Sequence, residues 1–350
     1  MPSGDQARFT QVEIVYNQAR ILACGARPKA VSGDAFGPAG LRAKGGRRTT
    51  MIRRVGHFAT LLAACASAPC LAQSPPPEKE PGDTIVITGK AAPPTRGALA
   101  EQAQDISRIA PNKLYVEALP RFEAPICPRV LGLDDDYAAG ITRRIRRNLA
   151  RLNLPAAKKD CISNLLVLFV DDGRGFLADL VKRHEPTFQW VAANERAELL
   201  DEQDPVRVWS VIQKRWTGNG QPPDGWPDER PSVWGQLDRT SMPEANDIAC
   251  AFVIFERDRT VGLTLTQVAD YATMRGLTHT RPASGEASMS TILSLFEDIN
   301  KRPPELTAFD IGYLRSLYAG EANRSAVNKF LGIRRQTSLA RKGSQPSPEK

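Results

Sequence analysis

Histidine is the side chain best suited to proton transfer near neutral pH. The chain has three, His57, His184 and His279. His57 lies in an apolar stretch near the amino terminus, which leaves His184 and His279 as candidates for acid–base work. The carboxylate pair Asp171/Asp172 follows an apolar run and precedes Gly173, the signature of a turn. Tryptophan is concentrated, because Trp190, Trp209, Trp216, Trp226 and Trp234 all fall within 190–234. The Gly-, Pro- and Asp-dense stretch 217–231 lies among them. Indole rings on a long loop can stack on sugars or grip a peptide, so Trp209, Trp216, Trp226 and Trp234 are candidate ligand-binding residues. The competing reading is that they anchor a long excursion to the body of the domain.

Six cysteines are present, at 24, 65, 70, 127, 161 and 250. Their spacing lacks the close Cys or His pairs that hold zinc, so no metal site is expected. Cys127 and Cys161 flank one helical segment and are the natural disulfide pair, worth roughly 3–4 kcal/mol for a loop of that length. Cys250 opens an apolar strand and reads as a buried thiol. The chain contains no GxSxG elbow, P-loop, GxGxxG fingerprint or EF-hand loop, and no cofactor is expected.

These residues are distributed along 350 positions of uneven character. Met51-Ile52-Arg53-Arg54 is a short positive segment, 55–68 is Ala/Leu-rich, and Cys70-Leu71-Ala72 puts small residues before Gln73. This is the anatomy of a secretory signal peptide over 51–72, so Met51 is the expected start and 1–50 a mis-called upstream extension, the alternative being a genuine cytoplasmic extension that would make 55–68 harder to use for export. The apolar run is too short to span a bilayer stably, so no transmembrane span is expected in the mature chain. Leu62-Ala63-Ala64-Cys65 offers a rival cleavage in which Cys65 is lipidated and tethers the protein to a membrane. Both routes place the product outside the cytoplasm, periplasmic or secreted.

The formal charge of +8 misleads. Residues 1–72 hold ten Lys/Arg against three Asp/Glu, and 334–350 hold five basic residues against one acid. The stretch 73–333 is therefore slightly acidic, and a nucleic-acid partner is not expected. The arginines 143, 144, 146, 147 and 151 read as a solvated helix face.

Residues 73–112 are rich in proline and read as an extended linker. Within it, 83–89 (Asp-Thr-Ile-Val-Ile-Thr-Gly) is β-prone and resembles the energy-coupling box of TonB-dependent receptors, although no receptor barrel follows. A folded domain is expected over 113–333, with a basic disordered tail over 334–350. Apolar positions Tyr137, Ile141, Ile145, Leu149 and Leu152 predict a helix over 134–152. Continuous apolar runs predict strands over 165–170 and 249–256, and further helices are expected over 176–184, 264–276, 290–296 and 310–318. In the 264–276 helix, Leu265, Val268, Ala269, Ala272 and Met274 are expected to point mostly inward. The mixture, ending in helices, predicts a single α+β domain with a helical C-terminal part.

Cys127-Pro128 and Ala269-Asp270-Tyr271 resemble a group of uncharacterised exported bacterial proteins, a likeness covering about 120–320. The segment with Gly276-Leu277, Ser290 to Leu293, Leu306-Thr307, Asp310 and Tyr313 to Tyr318 resembles the C-terminal half of zincin-like proteins. On the HExxHxxGxxH frame, Ala269 and Thr273 replace the first two histidines, Asp270 the glutamate, and Gly276 and His279 fit the last two places. The resemblance thus implies a degenerate zincin-like fold without its metal, and adds Asp270 to the acid–base candidates. The expected function is that of an exported, non-catalytic binding protein whose partner is an envelope protein, a peptide or a glycan. The alternatives are a periplasmic hydrolase using Asp270, His279 or His184, or an inactive relative of zincin metallopeptidases.

Overall fold

A computed structural model of the chain describes residues 95–183, 191, 193–201, 204–217, 241–283 and 289–343. His184, Trp190, Trp226, Trp234, Cys65, the 51–72 signal segment and the 83–89 run lie outside the described residues.

The scaffold is a four-stranded mixed sheet in the order β1-β2-β4-β3. Strand β1 (Pro128–Leu131) runs parallel to β2 (Leu165–Val170), which runs parallel to β4 (Glu244–Glu256). Strand β3 (Val206–Trp216) closes the sheet antiparallel to β4, with a shift of register between Val211 and Ile212. Every residue of β2 is buried, which explains its uninterrupted apolar sequence: neither face meets water. Leu165, Val167 and Phe169 point into one core with Ile141, Ile145 and Leu149 of α2 (Asp135–Arg151) and Val268, Ala272 and Met274 of α5 (Leu265–Leu277). Leu166, Leu168 and Val170 point into a second core with Phe176, Leu177 and Leu180 of α3 (Gly173–Lys182) and Leu199 of α4 (Ala193–Asp201). Two helices follow β4 and α5 at the C-terminal side, α6 (Ala308–Tyr318) and α7 (Ala326–Gly343). The chain is thus a mixed α+β domain with a helical C-terminal region.

Several elements differ from the sequence expectation. Helix α1 (Arg96–Ile106) forms inside the stretch read as linker, capped by the Thr95 hydroxyl, and it buries Leu99, Ala103 and Ile106. Helix α7 continues to Gly343, well into the supposed tail, because Phe330, Ile333 and Ala340 are buried. The helix expected over 290–296 is a single 3-10 turn, Ile292–Ser294, started by the Thr291 hydroxyl accepting from the Leu293 amide. Tyr137 and Leu265, read as inward-facing, are 55% and 41% exposed; each lies in the first turn of its helix.

Cys127 and Cys161 are disulfide-bonded, with Cα atoms 6.1 Å apart. Cys250 is fully buried on β4, as expected, but is disulfide-bonded rather than a free thiol. Trp209 is 1% exposed and stacks on its cross-strand partner Phe252 at 4.6 Å, so it is a core residue and not a contact surface. Its position in β3, whose first six residues are all buried, is the physical reason.

Candidate functional site

Helix α5 organises the polar chemistry of the domain. The capping box at its start, in which Thr264 and Gln267 exchange hydrogen bonds, fixes where the helix begins. Gly276 lets it approach β2, since a Cβ there would meet the Leu165 side chain. Two polar clusters hang on this helix, and they contain the two candidates, Asp270 and His279, that lie among the described residues.

Asp270 is completely buried beneath α2. Arg144 reaches it bidentately, Nε donating to Oδ1 at 2.8 Å and Nη2 to Oδ2 at 2.7 Å. Asn148 Nδ2 donates to Oδ1 at 2.7 Å, and the Leu306 amide donates to Oδ2 at 2.8 Å. Four donors saturate the carboxylate. Asn148 also donates to Thr273 Oγ1 at 3.0 Å, so α2 grips two consecutive turns of α5. The bond to Asp270 and the neighbouring Glu305 raise the Arg144 guanidinium further above its already high range. An acid held this way has no free lone pair with which to take a proton from a substrate.

His279 sits two residues beyond the end of α5. The Arg281 amide donates to the Ile106 carbonyl at 2.8 Å, and Ser107 bridges Thr280, so the end of α1 lies alongside residues 279–281. This places Arg108 beside the imidazole. Glu195, in the first turn of α4, lies with Oε1 3.6 Å from His279 Nε2 and 4.0 Å from Arg108 Nη1. Arg108 also pairs with Glu198 at 3.1 Å. On α5 itself, Arg275 donates to the Tyr271 hydroxyl at 2.9 Å and pairs with Asp204, ahead of β3, at 3.3 Å. The cluster therefore joins the end of α1, the start of α4, the start of β3 and the end of α5.

Its electrostatics follow from burial. Only 16% of the His279 side chain and 13% of the Glu195 side chain are accessible. Desolvation, with Arg108, Arg275 and Arg281 nearby, pushes the imidazole down to about 3, so it is neutral throughout the physiological range. Desolvation raises the Glu195 carboxyl, an effect that Arg108 opposes and Glu198 reinforces. A neutral imidazole beside a carboxyl of raised pKa can exchange a proton or hold a polar ligand. An imidazole near 3 is nevertheless a weak base at neutral pH.

A third acid, Asp310, is also fully buried. Desolvation raises it to about 6. It is enclosed by Thr291 Oγ1 at 2.6 Å and by the amides of Ile292 and Thr307 at 2.8 Å each, so it ties the 291–292 turn to the start of α6. Of the tryptophan candidates still described, Trp216 is half-buried at the far end of β3, where it pairs with Glu244. It lies at the opposite end of β3 from Asp204, the residue through which that strand joins the cluster around His279.

Sequence reasoning singled out His279 but not its partners. Tyr271, Arg275 and His279 recur every fourth residue, and that spacing was a usable signal. Arg108 and Glu195 are brought in by contacts between distant segments, which no local pattern announces. Among the described residues, no group of three or more His, Cys, Asp or Glu is placed to hold a metal ion. No described helix is long and apolar enough to cross a membrane. Comparison of the chain with protein-family models, with curated proteins and with solved structures finds no match.

Proposed function

We propose that this is an exported binding protein that captures an envelope protein, a peptide or a glycan outside the cytoplasm. The observation that carries the binding reading is the condition of its acid–base candidates: Asp270 is saturated by four donors and His279 is too weak a base at neutral pH. The Cys127–Cys161 disulfide supports an oxidising compartment. Export proceeds by cleavage after Ala72, the rival route being lipidation at Cys65. The contact surface in this reading starts at Trp216, where the chain leaves β3 for the segment bearing Trp226 and Trp234.

Intact-mass measurement on protein recovered from cells tests export. A chain beginning at Gln73, or at a lipid-modified Cys65, is the expected result; a full-length reduced chain in the cytosol overturns it. Binding is tested by following tryptophan fluorescence against panels of peptides and glycans, with Trp216→Ala/Trp226→Ala expected to lose the response.

A finer kinship belongs to the same proposal: α5 is the helix of a zincin that has lost its metal. Ala269 and Thr273 stand at the two histidine places and Asp270 at the glutamate; Asp270 is tied to Arg144 and Asn148, and Thr273 to Asn148. Stoichiometric zinc retained after dialysis would refute it.

One observation favours the second reading, a hydrolase: the raised Glu195 carboxyl lies 3.6 Å from His279. In that case Glu195→Gln and His279→Ala each abolish turnover of an ester, peptide or glycoside while the fold is kept. His184, the remaining sequence candidate, would be tested by the same substitution.

A further inference from the structure

Helix α2 divides its arginines between two tasks. Arg144 is spent on Asp270 and Glu305. Arg146 donates to the Ala157 carbonyl at 2.7 Å and lies 3.9 Å from Cys161 Sγ, so it holds the 157–161 loop against the helix. Arg143, Arg147 and Arg151 do neither. They are exposed at one-turn spacing and have no hydrogen-bond or ion-pair partner for their side chains among the described residues.

The loop that Arg146 and the Cys127–Cys161 disulfide pin beside this row adds Lys158 and Lys159, both exposed and without a partner among the described residues. At the other end, Arg315 of α6 donates to the Arg151 carbonyl at 3.4 Å and extends the face. Six cations thus border one surface. Its carboxylates are Asp160 in the loop, Asp134 at the N-cap of α2 with Asp135 and Asp136 in its first turn, and Glu305, which Arg144 already engages. Two apolar side chains protrude within the same elements: Ile162, next to the disulfide, is 64% exposed, and Tyr137, on the first turn of α2, is 55% exposed.

We propose that this face docks on an anionic phospholipid surface. Unpaired cations supply attraction to the headgroup phosphates, and an exposed aliphatic side chain with an exposed tyrosine supplies insertion at the interface. That combination distinguishes a membrane from a nucleic acid, which would reward aromatic stacking but not a protruding isoleucine. The inference goes beyond the proposed function and stands whichever route exports the chain, because it concerns the folded domain alone.

The test is flotation of the purified, unlipidated protein with vesicles of phosphatidylcholine alone or containing phosphatidylglycerol. Binding to the anionic vesicles only, weakened by salt, is the expected result. Each arginine contributes about fivefold to partitioning, so Arg143→Gln/Arg147→Gln lowers it roughly 25-fold without moving the thermal midpoint. Lys182→Gln, on α3 against the opposite face of the sheet, leaves partitioning unchanged. Equal binding to both vesicle types, no loss in the double variant, an equal loss in Lys182→Gln, or displacement onto a single-stranded oligonucleotide in preference to vesicles would each overturn the proposal.

Discussion

The two polar clusters on α5 use the same chemistry to opposite ends. At mid-helix, Asp270 meets a bidentate guanidinium, an amide side chain and a backbone amide, and every oxygen lone pair is used. Beyond the helix end, Glu195 and His279 meet at 3.6 Å, and among the described residues neither is enclosed by a comparable set of donors. Both clusters contain an arginine and a carboxylate taken out of water. What differs is completeness. A complete set of donors turns a buried charge into a rivet between helices. An incomplete one leaves a buried polar atom, here Glu195 Oε1, without a hydrogen-bond partner among the described residues, and that is capacity a ligand or a substrate can use.

The strongest way to break this comparison is at Asp270. Asp270→Ala leaves Arg144 and Asn148 facing an empty acceptor in a buried place. The expected loss is about 3–5 kcal/mol of unfolding free energy in denaturant titration, typical of removing one partner of a buried pair. A loss below about 1 kcal/mol would mean that the cluster is not the rivet described. Somewhat smaller is the expected effect of Cys127→Ser/Cys161→Ser. The bond closes a loop of sequence separation 34 and anchors the segments on either side of α2, which carries Arg144 and Asn148. Its removal should cost about 3–4 kcal/mol. It should also weaken the coupling between Arg144 and Asp270 measured in a double-mutant cycle.

How much of this was legible from the chain depends on range. The α2 stripe Ile141, Ile145 and Leu149 and the wholly apolar β2 were readable, because both answer to a single core direction or to burial on both faces. Strand β3 was not, since Arg207 and Ser210 interrupt it and both are nevertheless buried. Helix α1 was hidden by the prolines around it, and α7 by the arginines on its exposed positions. At the site, His279 was readable as a residue type and Asp270 as a position in a frame, but their opposite fates were not. The partners that decide those fates, Arg144 and Asn148 for one and Arg108 and Glu195 for the other, arrive from distant segments. One local hint was there to be used: Asn148 lies inside the apolar stripe of α2, where a polar side chain needs a buried partner.

The half-satisfied cluster is sharpened by pH. The folded imidazole titrates at about 3 instead of its ordinary 6.5. Between those values the unfolded chain binds a proton that the folded chain refuses, so this residue's contribution to stability grows as pH rises through the window and levels off above it. The free-energy difference between wild type and His279→Ala should therefore shift in favour of wild type from pH 4 to pH 6.5, by at most about 1.4 kcal/mol per pH unit. A flat difference would show that the imidazole is solvated and not part of a buried cluster.

The smallest effect is expected at Glu195, and its size is the most informative. Its carboxyl is raised by burial, so the folded state binds its proton more tightly than the unfolded one, and stability is lost as pH rises through the carboxylate range. Glu195→Gln removes that loss while keeping the shape of the side chain. Arg108 keeps its closer partner, Glu198, at 3.1 Å. The variant should match wild type within about 1 kcal/mol at neutral pH, and should gain relative to wild type as pH rises from 4 to 7. Near-neutrality at a buried carboxylate is the opposite of the outcome at Asp270. If Glu195→Gln instead costs as much as Asp270→Ala, the cluster beyond α5 is a second rivet, and the search for a ligand site must move to the tryptophan candidates Trp216, Trp226 and Trp234.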